Sequence, residues 1–177
     1  MIVKNIKTAF IEESLEFSGL PFSRGKPKEK TLFSLANASQ RSHGKFLRQM
    51  MISFVATAPF YWWTEFDTYK IGTTRMSTST MHTLMKGVDQ SHFEDKIAQS
   101  YIDAINEEIK SGDLIKVKAL LPASFCYTSY VTMNYEVLRT IYRDRITHRL
   151  PQWKQFLLSF SEIPYFKEFI IGETNEN

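Results

Sequence analysis

The chain has 177 residues, 43% of them hydrophobic and 23% charged, with a formal net charge of +3. That composition supplies one packed domain spanning 1–177 and excludes a disordered or fibrous chain. The near balance of charge permits a phosphate-bearing ligand without requiring nucleic acid, which is not expected as a partner.

The N-terminal stretch MIVKNIKTAF carries Lys4 and Lys7 within its apolar run. It therefore lacks the apolar region of a secretory signal. No segment approaches the ~18 apolar residues of a membrane span, so no membrane partner is expected. Ser23 to Lys30 (SRGKPKEK) reads as an exposed loop and Thr31 to Gln40 as a short helix, with residues 1–40 peripheral to the rest. Phe46 to Thr57 (FLRQMMISFVAT) reads as a strand. Thr57 is then the expected N-cap of a helix with Pro59 in its first turn. This helix carries Phe60, Tyr61, Trp62, Trp63 and Phe66, is apolar on nearly every side, and can end at Gly72. Two adjacent tryptophans are not expected in one core layer, so one of them is expected to reach a neighbouring subunit.

Ser91 and Glu94 have capping-box spacing before a helix that runs to Lys110. Ile97, Tyr101, Ile105 and Ile109 form its apolar stripe, and Gly112 stops it. Ser124 to Thr132 is extended or helical. The single cysteine, Cys126, lies between Phe125 and Tyr127 and is expected to pack as a small hydrophobe. One cysteine builds no disulfide framework, which points to a reducing, cytoplasmic setting.

A third long helix is expected from Asn134 to Leu150, ending before Pro151. At about 100° per residue, Leu138, Ile141, Tyr142, Arg145 and Arg149 fall on one stripe, while Arg139 and Arg143 point elsewhere. A guanidinium inside an apolar stripe needs an acid, a set of helix-end carbonyls or an anionic ligand. Arg149 can snorkel from the helix end, whereas Arg145 lies a turn deeper and is a candidate ligand contact.

Several chemistries leave no trace. There is no glycine-rich phosphate loop, no nucleophile elbow, and no metal-ligand spacing among His43, His82, His92 and His148. No catalytic side chain and no metal site are expected.

Two segments, SHGKFLRQMMISFVATAP with the helix and hydroxyl-rich stretch after it, and KVKALLPASFCYTSYVTMNYEVLRTIYRDR, resemble the flavin-dependent thymidylate synthases. The resemblance runs from Ser42 to Arg145, and on to Pro164 in outline, and is one of order and spacing. Leu121-Pro122, Tyr127-Thr128 and Asn134 match the family pattern. Lys118 stands where the family has an arginine, and Arg145 where a helix arginine contacts the substrate pyrimidine. The family's Arg-His-Arg falls on Thr68, Tyr69 and Lys70, its signature serines on Thr73 and Thr78, its closing arginine on Thr80, and a preceding glutamine on Glu65. A family histidine is matched by His43, and a flavin-contacting Glu-His pair falls on Arg48 and Gln49.

The resemblance implies an α+β fold, with long helices packed on an antiparallel sheet and a family-like core over 42–164. It also implies a homotetramer whose sites lie between subunits. In this family FAD carries a methylene group to C5 of dUMP, and the protein supplies binding and orientation. Carried over by position, Arg145, Lys118, Glu65, Thr78, Thr80 and Asn134 would contact substrate. Lys70, Tyr69, Thr68, Thr73, His43 and Gln49 would contact the cofactor. Among the signature cations only Lys70 survives. The expected function is thus a divergent relative that binds a nucleotide or nucleotide-derived ligand in an inter-subunit cleft. An FAD-dependent transferase acting on a pyrimidine nucleotide, and an oligomeric protein-interaction module without ligand chemistry, stand beside it.

Overall fold

Nine residues, Met51–Pro59, alternate between half-exposed and buried side chains and form the second of four strands. The computed structural model describes residues 1–38 and 42–173. In chain order the elements are β1 (Ile2–Ala9), α1 (Ile11–Glu16), α2 (Glu29–Asn37), β2 (Met51–Pro59), α3 (Phe60–Phe66) and β3 (Thr73–Ser77). There follow α4 (Thr80–Thr83), α5 (Gln99–Ser111), α6 (Leu114–Ala119), β4 (Cys126–Asn134), α7 (Tyr135–Arg145) and α8 (Pro151–Leu158). A π-helical turn, Phe166–Ile171, comes last.

The strands form one antiparallel sheet in the order β1-β2-β4-β3. The fold is α+β, as expected. Ile52, Phe54, Ala56 and Ala58 of β2, with Val131 and Met133 of β4, point to the inner face and are fully buried. Trp62, Trp63 and Phe66 of α3, Leu138 and Ile141 of α7, and Trp153, Phe156 and Leu157 of α8 complete this main cluster. A second cluster joins Leu84, Val88, Phe93, Ile102, Ile105, Val117 and Phe125, and Tyr127 packs against both.

Several boundaries differ from expectation for reasons visible in the hydrogen bonds. The strand starts at Met51, because Lys45–Arg48 coils into a 3₁₀ turn that buries Phe46 and Leu47. Thr57 lies inside β2, where its hydroxyl bonds that of Thr128 at 2.8 Å, and does not cap α3. The first free N–H groups of α3 are met by the carbonyls of the segment before β4: Phe60 N–H donates to Phe125 and Tyr61 N–H to Ala123. Pro59 is the residue before the helix. The expected capping box at Ser91 and Glu94 is instead Asp89 with His92, around a short 3₁₀ turn. Glu94 binds the Met1 amine at 2.7 Å and Gln152 Nε2 at 3.1 Å. In α5 the buried positions are Ile102 and Ile105, while Tyr101 turns out to donate its hydroxyl to the Leu120 carbonyl. Gly112 does end this helix, at φ 77°.

Residues 1–38 are less peripheral than expected: β1 pairs with β2, and Ile11, Leu15, Leu32 and Ala36 sit in the main cluster. The short helix after the loop is α2, ending at Asn37; Gln40, also expected in it, lies outside the described residues. Both tryptophans of α3 are buried within the chain, at 0% and 1% exposure. Trp62 packs against Phe66, Trp153 and Phe156, while Trp63 stands edge-on to Trp62 and Phe66 and donates Nε1–H to the Tyr127 carbonyl. Trp62 meets α8 and Trp63 meets β4, so neighbouring positions of this helix can both be core.

Candidate functional site

The long helix of the C-terminal half is two helices. α7 stops at Arg145, a turn follows, and α8 begins with Pro151 in its first turn. Asn134 starts α7 as its N-cap, with its side-chain oxygen accepting from Val137 N–H at 2.9 Å. Its amide also lies 3.0 Å from where a Cβ on Gly72 would stand, and Gly72 has φ +82°. This asparagine thus has a structural task at the point where β4 passes into α7.

The depth of the arginines is the reverse of the expected order. Arg139 is the buried one, at 6% exposure, and its Nη1 donates to the carbonyl of Ala36 at the end of α2. Helix-end carbonyls carry the partial negative charge that a guanidinium needs. Arg145 is less deep and has protein partners. Nη1 donates to Glu65 Oε2 at 3.0 Å and Nε to the Tyr69 hydroxyl at 2.9 Å. The guanidinium lies 5.1 Å from the Trp153 ring centre and 5.7 Å from that of Tyr69. Trp153 Nε1–H donates to the same Glu65 oxygen at 2.9 Å, His148 Nε2 stands 3.5 Å from it, and the Tyr69 hydroxyl reaches Asp144 at 3.2 Å. Burial pushes the Tyr69 phenol up, against the lowering effect of Arg145. The structure therefore gathers Arg145, Glu65 and Tyr69 into one cluster and adds Trp153 and His148. Sequence reasoning missed those two because nothing in their spacing links them to Glu65.

A second group forms at the other end of α3. A pocket of about 240 Å³ is lined by Phe60, Thr80, Lys118, Leu121, Pro122 and Tyr127. It brings together Lys118 and Thr80, two of the expected substrate contacts. Phe60 and Tyr127 add ring faces, 5.9 Å apart by their centres. Burial raises the Tyr127 phenol, so at neutral pH it stays a hydroxyl.

The remaining expected residues scatter. The segment Thr73–Ser77 is an edge strand, so its side chains alternate between faces. Thr73 turns inward beside Met133, and its hydroxyl is buried without a hydrogen-bond partner. Thr78 Oγ1 accepts from Thr128 N–H at 3.4 Å. Thr68 donates its hydroxyl back to the Glu65 carbonyl. Lys70 is exposed and forms no ion pair among the described residues. His43 and Gln49 flank the 3₁₀ turn whose Arg48 pairs with Glu136 in the first turn of α7. They thus belong to the end of α7 opposite Arg145. Among the described residues, no group of three His, Cys, Asp or Glu side chains could hold a metal ion. No helix there is long and apolar enough to cross a membrane.

Comparison with protein-family models and with curated proteins returns no match. Solved structures do match. One, a flavin-dependent thymidylate synthase ThyX from Helicobacter pylori complexed with FAD and dUMP, superposes with a TM-score of 0.70 over 96% of this chain and 97% of that one. The chain has the fold of ThyX. A further structure of Helicobacter pylori ThyX with FAD and dUMP gives a TM-score of 0.72, covering 96% and 95% of the two chains. Identity is 12% and 10%, so it is the ThyX backbone that is shared and few of its side chains. The resemblance read from Leu121-Pro122, Tyr127-Thr128 and Asn134 thus has a structural counterpart in fold.

Proposed function

We propose that this chain is a divergent relative of ThyX that binds a nucleotide or nucleotide-derived ligand in a cleft between subunits. The observation that carries this reading is the pocket at the start of α3, where Lys118 and Thr80 lie beside Phe60 and Tyr127. A cation and a hydroxyl suit a phosphate, and an aromatic wall suits a base. The ThyX structures with FAD and dUMP support the class of ligand. Calorimetry with mono-, di- and cyclic nucleotides tests it. Binding of one of them, weakened at least tenfold by Lys118→Ala, is the expected result; silence across the whole set removes the reading.

FAD-dependent transfer to a pyrimidine nucleotide is the second reading, and the FAD in both ThyX structures is what favours it. The donors fit a flavin pyrophosphate poorly. Thr68 and Tyr69 spend their hydroxyls internally, the Thr73 hydroxyl is buried, and Lys70 is the one exposed cation of that set. A yellow preparation, or uptake of added FAD, would revive it. We further place the protein in the cytoplasm, supported by its lone Cys126, and assign it a homo-oligomer, a tetramer by resemblance. The outer face of the sheet supports the assembly: Ile2, Met76 and Tyr130 are 60%, 68% and 44% exposed.

A further inference from the structure

Glu65 Oε2 accepts from two donors, Arg145 Nη1 and Trp153 Nε1, and has a third, His148 Nε2, at 3.5 Å. The third is oriented: His148 Nδ1 accepts the Leu150 N–H at 3.2 Å, which leaves the ring proton on Nε2, facing the carboxylate. Arg145 is meanwhile fixed by Tyr69 on its Nε and lies against both the Tyr69 and Trp153 rings. The charges of this cluster are two carboxylates, Glu65 and Asp144, against one guanidinium. An incoming phosphate therefore meets a site whose guanidinium is already satisfied by a carboxylate. To bind, it would have to displace a carboxylate that holds three donors and leave that carboxylate unpaired in a half-buried place.

We infer that Glu65 is a specificity-determining residue: it fills Arg145 with an internal carboxylate, so this end of α3 turns phosphates away. The inference is independent of the Lys118 pocket, which lies at the other end of the same helix.

The test uses inorganic pyrophosphate as probe, titrated calorimetrically into the wild-type protein, Glu65→Gln, and Glu65→Gln combined with Arg145→Gln. Glutamine keeps the length of the side chain and removes its charge. The single variant should bind pyrophosphate at least tenfold more tightly than wild type, and the second substitution should abolish the gain. Equal affinity in wild type and Glu65→Gln overturns the inference, as does a gain that survives loss of Arg145. Should Glu65→Gln fail to fold, Glu65→Met, which removes charge and acceptor at similar volume, is read by the same criteria. The nucleotide series on wild-type protein reports on the Lys118 pocket alone. A silent series with a pyrophosphate gain in Glu65→Gln would sink the proposed function and leave this inference standing; the reverse outcome would do the opposite.

Discussion

Arg145 and Arg139 show what one side chain's surroundings decide. The helical stripe ranks Arg145 as the deep one, because it counts only the residues of its own helix. The partner of Arg139 is the Ala36 carbonyl at the end of α2, and no periodicity in α7 announces it. That a stripe arginine needs an acid, a helix end or a ligand was legible; which arginine meets which partner was not. Cys126 behaves as its neighbours Phe125 and Tyr127 implied. It is half-buried, its Sγ lies 3.6 Å from the Ser124 carbonyl, and burial together with Glu94 pushes the thiol up to about 11. The neutral thiol is thus the form present at pH 7, and the nucleophilic thiolate is scarce. Alkylation by iodoacetamide should rise about tenfold per pH unit well past the ~8.5 of a free cysteine, levelling only near 11. A plateau near pH 8.5 would contradict this environment.

Between elements, the connection from α3 to β3 depends on Gly72. Its φ of +82° is the left-handed region, and a Cβ there would stand 3.0 Å from both Asn134 Nδ2 and Val137 Cγ2. Those two residues form the N-cap pair of α7, so the chain leaving α3 is fitted against the start of another helix. Gly72→Ala should destabilise the protein by about 1–2 kcal/mol, from backbone strain and the crowded cap. Urea unfolding measures it, and a loss under about 0.5 kcal/mol would show that the contact yields easily. Gly72 follows the aromatic helix and the 3₁₀ turn that extends it. The family pattern places a cofactor contact, Thr73, in the hydroxyl-rich stretch after it. Thr73–Ser77 is instead an edge strand on β4, because extended Thr and Ser residues pair well and the β4 edge is open to them. That pairing divides Thr73 from its alternate neighbours and removes its hydroxyl from any surface site.

At the scale of the whole molecule, two apolar clusters meet at Tyr127, which also lines the pocket with Lys118. The main cluster covers one face of the sheet and leaves the other open. That outer face carries Lys4 and Lys7 on β1, Ser53 and Val55 on β2, Tyr130 and Thr132 on β4, and Thr74 and Met76 on β3. Hydrogen bonds from Ser53 and Thr132 hold the Tyr130 phenol below its ordinary range, with Lys7 adding to the effect. The proposed assembly would bury part of this face. Sedimentation at micromolar concentration should then show a species larger than a monomer, and the double substitution Met76→Glu, Tyr130→Glu should shift it to the monomer. A wild-type monomer at the highest concentration reached would refute the assembly.

By itself the sequence determined the kinds of element and their punctuation. The apolar run before Pro59 is a strand, the aromatic run after it is a helix, Gly112 stops α5, and Asn134 opens α7. These follow from local conformational preference and from the periodicity of apolar side chains, which any segment carries within itself. The order Leu121-Pro122, Tyr127-Thr128, Asn134 also led to the correct fold, since spacing survives where identity has fallen to 10–12%. The tertiary structure alone decided that Glu65, Tyr69, Arg145, His148 and Trp153 meet, that Lys118 and Thr80 share a pocket with Phe60 and Tyr127, and that Thr73 faces inward. The reason is physical. A buried or half-buried polar group takes whichever partner the packing brings to it, and partners as far apart in the chain as Glu65 and Arg145 leave no periodic mark on either segment.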